Sequence, residues 1–305
     1  MLYTKYFYFV CSFLSDSMTF KNTALTVIGG VGYGDLKLGK RQKIKTDYGD
    51  VSYSVFQTKN SSEIIFISRH QGKHHVPPHE INFCALIMAA RKIGAPVLSL
   101  NSVGLMRPVL LTNKKDKDDG NEFVGFDNFS KYPFFIPNDF IDFTKNRVNT
   151  FYNHQTVHTD MSDPYCLSVR NLLKTVLSGK NISFSEGNYL CTEGPRFETK
   201  AEIQMFSNFS DVVGMTGVPE VVLAKEVGLC YASLCVITNP AAGLSQNTLT
   251  SNELKLGVNQ TQNEVFSILS ELADSFSEIR SGNSSSKSER LEKCRCKESS
   301  SDGRL

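Results

Sequence analysis

Ala24-Leu-Thr-Val-Ile28, followed at once by Gly29-Gly30-Val31-Gly32, is the stretch on which the fold turns. Five apolar or β-branched residues make a strand, and the glycines end it in a turn where backbone amides can come close to a ligand. The pattern repeats along the chain. Glu63-Ile-Ile-Phe-Ile67 is a second strand running into Ser68-Arg69-His70, and Ile81 to Lys92 reads as a helix stopped by Gly94. Val97-Leu-Ser-Leu100, Phe134-Phe-Ile-Pro137, Asp211-Val-Val-Gly-Met215 and Tyr231 to Thr238 follow as strands, the last ending in Asn239. Pro219 suits the first helical position before Glu220 to Val227, and Thr250 with Glu253 has capping-box spacing before a last helix reaching about Phe276. Strands alternating with helices define an α/β fold.

With 305 residues, the chain fits one large domain or two small ones. Its 40% hydrophobic and 21% charged residues allow a real core, and a net charge of +2 carries no signal for nucleic acid or an anionic membrane. Of eight cysteines, Cys84, Cys191, Cys230 and Cys235 sit in apolar runs, as small hydrophobes in a reducing compartment such as the cytoplasm. Cys294-Arg-Cys296 is compatible with a metal site or a bridge, and a two-cysteine pair in a polar tail is weak evidence for either. Tyr6 to Leu14 is too short to span a bilayer, so residues 1–20 read as an extension outside the fold. The charge run 113–119 makes 106–133 a surface insertion, and 277–305 is too polar to order itself.

The chemically suggestive residues cluster just past strand ends, where open α/β sheets place ligands. Arg69-His70 pairs the preferred fork for phosphate oxygens with a further donor; a surface ion pair is the plain alternative. His70, His74, His75 and His79 are dense enough to raise a metal site, but the spacing matches no zinc motif and Pro77-Pro78 makes the segment a turn. Glu198 opens a helix to Phe206, where a carboxylate serves the helix dipole by default. Asn239 has an ordinary reading too, as a turn residue.

Taken in order, the segments 68–83, 136–145, 191–199 (Cys-Thr-Glu-Gly-Pro-Arg-Phe-Glu-Thr) and 212–226 resemble the purine nucleoside phosphorylase superfamily, in the branch with 5'-methylthioadenosine phosphorylases. The likeness runs from about Leu25 to Phe276. It implies a single α/β domain over 21–276 with a central mixed sheet flanked by helices, assembled as a homotrimer. It implies phosphate held by Val31, Arg69, His70, Asn101, Ser102 and Thr216. Met215 would lie under the ribose, Phe197 on the purine, and Asn239, Pro240 and Ala241 around the base. Asn239 and His70 would be the catalytic pair. No metal or cofactor is implied; inorganic phosphate is the co-substrate and a purine nucleoside the partner.

Aminopurine-cleaving members of that branch carry aspartates where this chain has Asn239 and Ala241, and a small hydroxyl residue where it has Glu198. Phosphorylases of inosine and guanosine carry the glutamate. A 6-oxopurine presents an N1–H donor, for which a carboxylate is the natural acceptor, whereas adenine N1 is itself an acceptor. The expectation is phosphorolysis of inosine or guanosine. 5'-Methylthioinosine, 5'-methylthioadenosine, and a nucleoside-binding homologue impaired in catalysis stand as alternatives. Val31 replaces the family's usual Thr or Ser, and Ser251 leaves the 5' group undecided between hydroxyl and methylthio.

Overall fold

The computed structural model describes residues 20–30, 40–71, 76–112, 122–245, 249–282 and 296, with only the backbone of 251–254. Among these, eleven strands form one mixed sheet. They are β1 (Thr23–Gly29), β2 (Gln42–Thr46), β3 (Gly49–Gln57), β4 (Glu63–Ser68), β5 (Val97–Leu105), β6 (Val109–Thr112), β7 (Phe123–Val124), β8 (Phe134–Phe143), β9 (Phe184–Thr192), β10 (Val212–Gly214) and β11 (Tyr231–Pro240). Five helices accompany them: α1 (Phe83–Ile93), α2 (Leu167–Gly179), α3 (Lys200–Phe206), α4 (Glu220–Glu226) and α5 (Ser251–Arg280). The strand order is β2-β3-β4-β1-β5-β11-β8-β9-β6-β7, with β10 pairing β5 and β9.

The four strands β4, β1, β5 and β11 are mutually parallel and carry the site. Every residue of β1 is buried, as a strand covered on both faces requires. On one face α1 and α4 pack into a core with Ile28, Ile67 and Val103; on the other α2 and α5 pack over Leu25, Val27 and Leu234. A third, smaller cluster joins Met106, Leu190 and Val213 to Ile203 and Phe206 of α3 and to Ala241. That cluster ties α3 to the end of β11.

Several boundaries differ from expectation, each for a local reason. Asn82 caps α1 by accepting from the Ala85 amide, and Gly94 closes it in the left-handed region at φ 80°. Pro219 is the residue before α4, one position earlier than expected. α5 continues past Phe276 to Arg280 because Ile279 is still buried, and Gly282 at φ 73° follows the stop. The surface insertion at 106–133 is a correction: β6 pairs with β9 and β7, and Val109, Leu111 and Val124 are buried. Only 113–121 lies outside the described residues. The tail is corrected likewise: residues 277–280 are helical and Cys296 is buried against the α2–α5 side of the core. Residues 1–19 lie outside the described set.

Glu198 does not open a helix. Thr199 does, with a capping box in which its hydroxyl accepts from the Glu202 amide and the Glu202 carboxylate accepts from the Thr199 amide. Arg196 hydrogen-bonds that carboxylate and, with the amide, holds it down at about 2. This cap fixes where Glu198 stands. Thr199→Ala is expected to cost about 1 kcal/mol, read as a lower urea midpoint with unchanged slope.

Candidate active site

The site is built at two levels along β5 and β11. The lower level is where β1 and β4 end: Gly29 is level with Ser68 and with Leu100. β5 and β11 run on, and Gly104 faces Asn239 at roughly 13 Å further along the strand.

At the lower level Arg69 is buried, and its guanidinium is committed in a definite way. Nε and Nη2 grip both oxygens of Glu220 at 2.8 and 3.1 Å, Nη2 also donates to Ser99 and the Ile28 carbonyl, and Nη1 donates to the Leu100 carbonyl. Glu220 is fully buried and accepts further bonds from Ser99 at 2.6 Å and from the Tyr231 hydroxyl at 2.8 Å. Burial opposes the charge on Arg69, and the Glu220 carboxylate outweighs it, leaving the guanidinium above its ordinary pKa. The expected role of Arg69 therefore changes in form. Its two-pronged face is taken by Glu220, and Nη1, with one bond to Leu100, is the part that faces the glycine turn. A Cβ on Gly30 would stand 2.9 Å from that Nη1 and 3.9 Å from His70 Nε2. Gly30 thus keeps open the corner on which both nitrogens converge. His70 donates from Nδ1 to the Val76 carbonyl at 2.7 Å, which fixes the ring so that Nε2 looks into the corner.

Ser99 passes the network on to the middle of β5. Both amide hydrogens of Asn101 go to Ser99 and Ser233, and its carbonyl oxygen accepts from the Thr216 hydroxyl at 2.9 Å. Asn101 is among the residues expected to hold phosphate; here its amide is saturated and its carbonyl oxygen holds the Thr216 hydroxyl. Arg69, Ser99, Asn101 and Thr216 form one continuous hydrogen-bonded row, with His70 beside its start. Ser102 is half-buried on the next residue, and Val31 lies outside the described residues.

At the upper level, the pairing of β5 with β11 shifts register between Ile237 and Asn239, a bulge that re-aims the following side chain. Asn239 is buried; its oxygen accepts from Thr238 at 2.8 Å and its nitrogen donates to the Pro240 carbonyl at 2.7 Å. One N–H and one lone pair of the amide remain by valence. Gly104 opposite leaves room for this: a Cβ there would stand 3.2 Å from Asn239 Nδ2 and from the Ala241 backbone, a tight contact that would press on the amide.

Glu198 lies just before the α3 cap, buried, with Oε1 accepting from Thr192 at 2.6 Å. Burial pushes its carboxyl above the usual carboxylate range, partly offset by the Thr192 hydroxyl. Phe197 beside it is half-buried. The segment carrying Glu198 lies against both levels. Gly194 packs on the Met215 thioether, and Gly243 approaches the Lys200 side chain so closely that a Cβ would overlap it. Met215 and Pro240 are half-buried, and Ala241 is buried in the α3 cluster.

Four supporting residues escaped sequence reading. Glu220 and Tyr231 anchor Arg69. The Tyr189 hydroxyl accepts from the Gly217 amide at 3.1 Å, bracing the turn that holds Thr216. Arg147, whose side chain is 2% exposed, donates to the carbonyls of Val218 and Glu193, each at 2.6 Å, and reaches the Glu193 carboxylate at 3.3 Å. It clips the loop before Glu198 to the turn after Thr216. An arginine four residues past a strand has no sequence signal for this.

Of the histidine run, His79 lies 3.7 Å from Glu80, and His74 and His75 lie outside the described residues.

The "Phosphorylase superfamily" description matches residues 127–274. A probable S-methyl-5'-thioinosine phosphorylase of Methanocaldococcus jannaschii is 43% identical over 80% of this chain and 89% of its own length. This chain belongs to the nucleoside phosphorylase family. Members of that family are pentosyltransferases, and the chain is an enzyme of that type. The 6-oxopurine nucleoside phosphorylase of Pyrococcus furiosus is 36% identical over 75% of this chain and 84% of its own. Among solved structures, a methylthioadenosine phosphorylase from an antarctic soil metagenomic library superposes with a TM-score of 0.67 at 26% identity, covering 83% of this chain and 86% of that one. The methylthioadenosine phosphorylase of Schistosoma mansoni gives 0.72 at 24% identity over 91% and 97%, a likeness of fold. No helix among the described residues is long and apolar enough to cross a membrane.

Proposed function

We propose that this nucleoside phosphorylase cleaves 6-oxopurine nucleosides, with phosphate attacking C1' as the C1'–N9 bond breaks. The observation that carries the reading is the buried Glu198 carboxylate together with an amide, Asn239, on the bulge of β11. Glu198 accepts from N1–H of the base. Asn239 donates its remaining N–H as negative charge develops at N7 and O6. Phosphate sits in the Gly30 corner, against Arg69 Nη1, His70 Nε2 and the Thr216 hydroxyl. The sugar, oxocarbenium-like as the bond stretches, lies over Met215, and Phe197 packs on the purine. Catalysis is positioning plus electrostatic stabilisation, and no step calls for a metal or an organic cofactor.

Both relatives' names, methylthioinosine and 6-oxopurine nucleoside, share a 6-oxo base, which agrees with Glu198. They differ at the 5' position. Inosine and guanosine are the first reading. Methylthioinosine is the second, favoured by the 43% and 44% identity of two relatives named for it. Assembly as a homotrimer and a cytoplasmic location belong to the same proposal.

The test is base release from inosine, guanosine, methylthioinosine and methylthioadenosine, each with and without phosphate. Hypoxanthine or guanine release that requires phosphate is expected. Adenine as the best product overturns the base assignment, and nucleoside bound without turnover overturns the catalytic reading. Restoring a threonine at Val31 adds one neutral hydrogen bond, worth about 1 kcal/mol. It is expected to lower the phosphate KM about fivefold, as measured by initial rates.

A further inference from the structure

At the other end of β11 from Asn239, three cysteines meet. Cys166 is the residue before α2, Cys230 precedes β11, and Cys296 comes from the far end of the chain. Their sulfurs all lie within 4.8 Å of one another, and Cys166 and Cys296 are buried. The Cys166 amide donates to the Tyr231 carbonyl at 2.7 Å, which holds the first two thiols side by side. All three are thiols in the structure.

We propose that Cys166, Cys230 and Cys296 form a binding site for a thiophilic divalent ion of the Zn2+ class. Tetrahedral thiolate coordination with Zn–S near 2.3 Å places sulfurs about 3.8 Å apart, so the cluster needs only a small contraction to close on an ion. One local feature favours a thiolate: Cys166 stands at a helix N-terminus, where the macrodipole stabilises negative charge. Binding releases each ligating thiol's proton to solvent, so affinity falls as pH is lowered. Among the described residues three protein ligands are brought together. The ion would staple residue 296 to the starts of α2 and β11, far from the reacting atoms, and its role is structural. The inference rests on the fold alone and stands apart from the substrate reading.

The experiment uses the full chain, metal-free and reduced with a phosphine. Titration with Co2+ is expected to give thiolate-to-cobalt charge-transfer absorbance that saturates at about one equivalent and is displaced by Zn2+. Cys166→Ser, Cys230→Ser and Cys296→Ser should each weaken Co2+ binding at least about tenfold, while Cys84→Ala leaves it unchanged. Excess Zn2+ should raise the Tm by about 5 °C in the parent protein and not in Cys230→Ser. Variants that bind Co2+ as the parent does overturn the site, as does the absence of stoichiometric uptake. A mapped disulfide joining two of the three in protein purified without oxygen overturns it in favour of a covalent bridge.

Discussion

Replacing Glu220 by Gln is expected to cost about 3–5 kcal/mol of folding stability and to raise the phosphate KM at least tenfold. The reason is the burial of both partners: Arg69 is 1% exposed and Glu220 0%. Removing the carboxylate's charge leaves a guanidinium in the core with no counter-ion. It also turns one of the two acceptor oxygens into an NH2 donor: the remaining oxygen can still take Ser99, Tyr231 and Arg69 Nη2, but Arg69 Nε then faces a donor. Phosphate is then the nearest anion able to balance Arg69, so added phosphate should raise the Tm of Glu220→Gln more than that of the parent. Loss of folding would hide the phosphate effect, so a second variant separates the two. Replacing both Arg69 and Glu220 by Met removes the charge pair together, and such swaps are often near neutral for stability. That double variant should fold and yet use phosphate poorly. A single variant that loses less than about 1 kcal/mol and keeps its phosphate KM contradicts the network.

Glu198→Gln is the second large effect. Turning the carboxylate into a neutral amide removes a charge-assisted acceptor, worth about 1.5–3 kcal/mol, so kcat/KM for a 6-oxopurine nucleoside should fall roughly 10- to 150-fold. The adenine nucleoside should lose nothing, and Asn239→Asp in the same background should raise its rate by supplying a proton donor for N7. The pH dependence follows from the direction of the Glu198 shift. Burial raises its pKa in the folded protein, so its contribution to stability is present below the ordinary carboxylate range and is lost as pH rises through the folded value. The ionised group needed for catalysis therefore strains the fold at neutral pH. Glu198→Gln should be at least as stable as the parent at neutral pH despite being the poorer enzyme. In the parent, 6-oxopurine turnover should fall, as pH drops, at a pH above the usual glutamate range. That limb should vanish in the glutamine variant. Stability and rate falling together would instead make Glu198 a structural residue.

How much of this was legible in the sequence depended on whether a residue's partners were local. The strand at 24–28 and its glycine stop are written in consecutive residues, and so are α1 with Gly94 and β11 with Asn239. Arg69 and His70 were legible as a pair because they follow a strand directly. Glu220 was not: a glutamate at a helix start reads as a dipole-favoured surface charge, and its partner is 151 positions away. The hydrogen bonds of Asn101 were not legible, because saturation of its amide by Ser99 and Ser233 depends on the register of β5 and β11. In 106–133 the charge run masked Val109, Leu111 and Val124, whose burial comes with the pairing of β6 to β9 and to β7 and not from any long apolar run. The Cys296 thiol looked like part of a polar tail, and only the fold brings it to Cys166 and Cys230.

The central claim is that Glu198 and Asn239 grip one 6-oxopurine above a phosphate corner at Gly30. A crystal structure with hypoxanthine and phosphate tests it most directly. The account predicts N1 within about 3 Å of a Glu198 carboxylate oxygen, with N7 or O6 at the same distance from the Asn239 amide. Phosphate should lie against Arg69 Nη1, His70 Nε2 and Thr216. A base that reaches only one of the two side chains, with the other turned into a separate cavity, contradicts it.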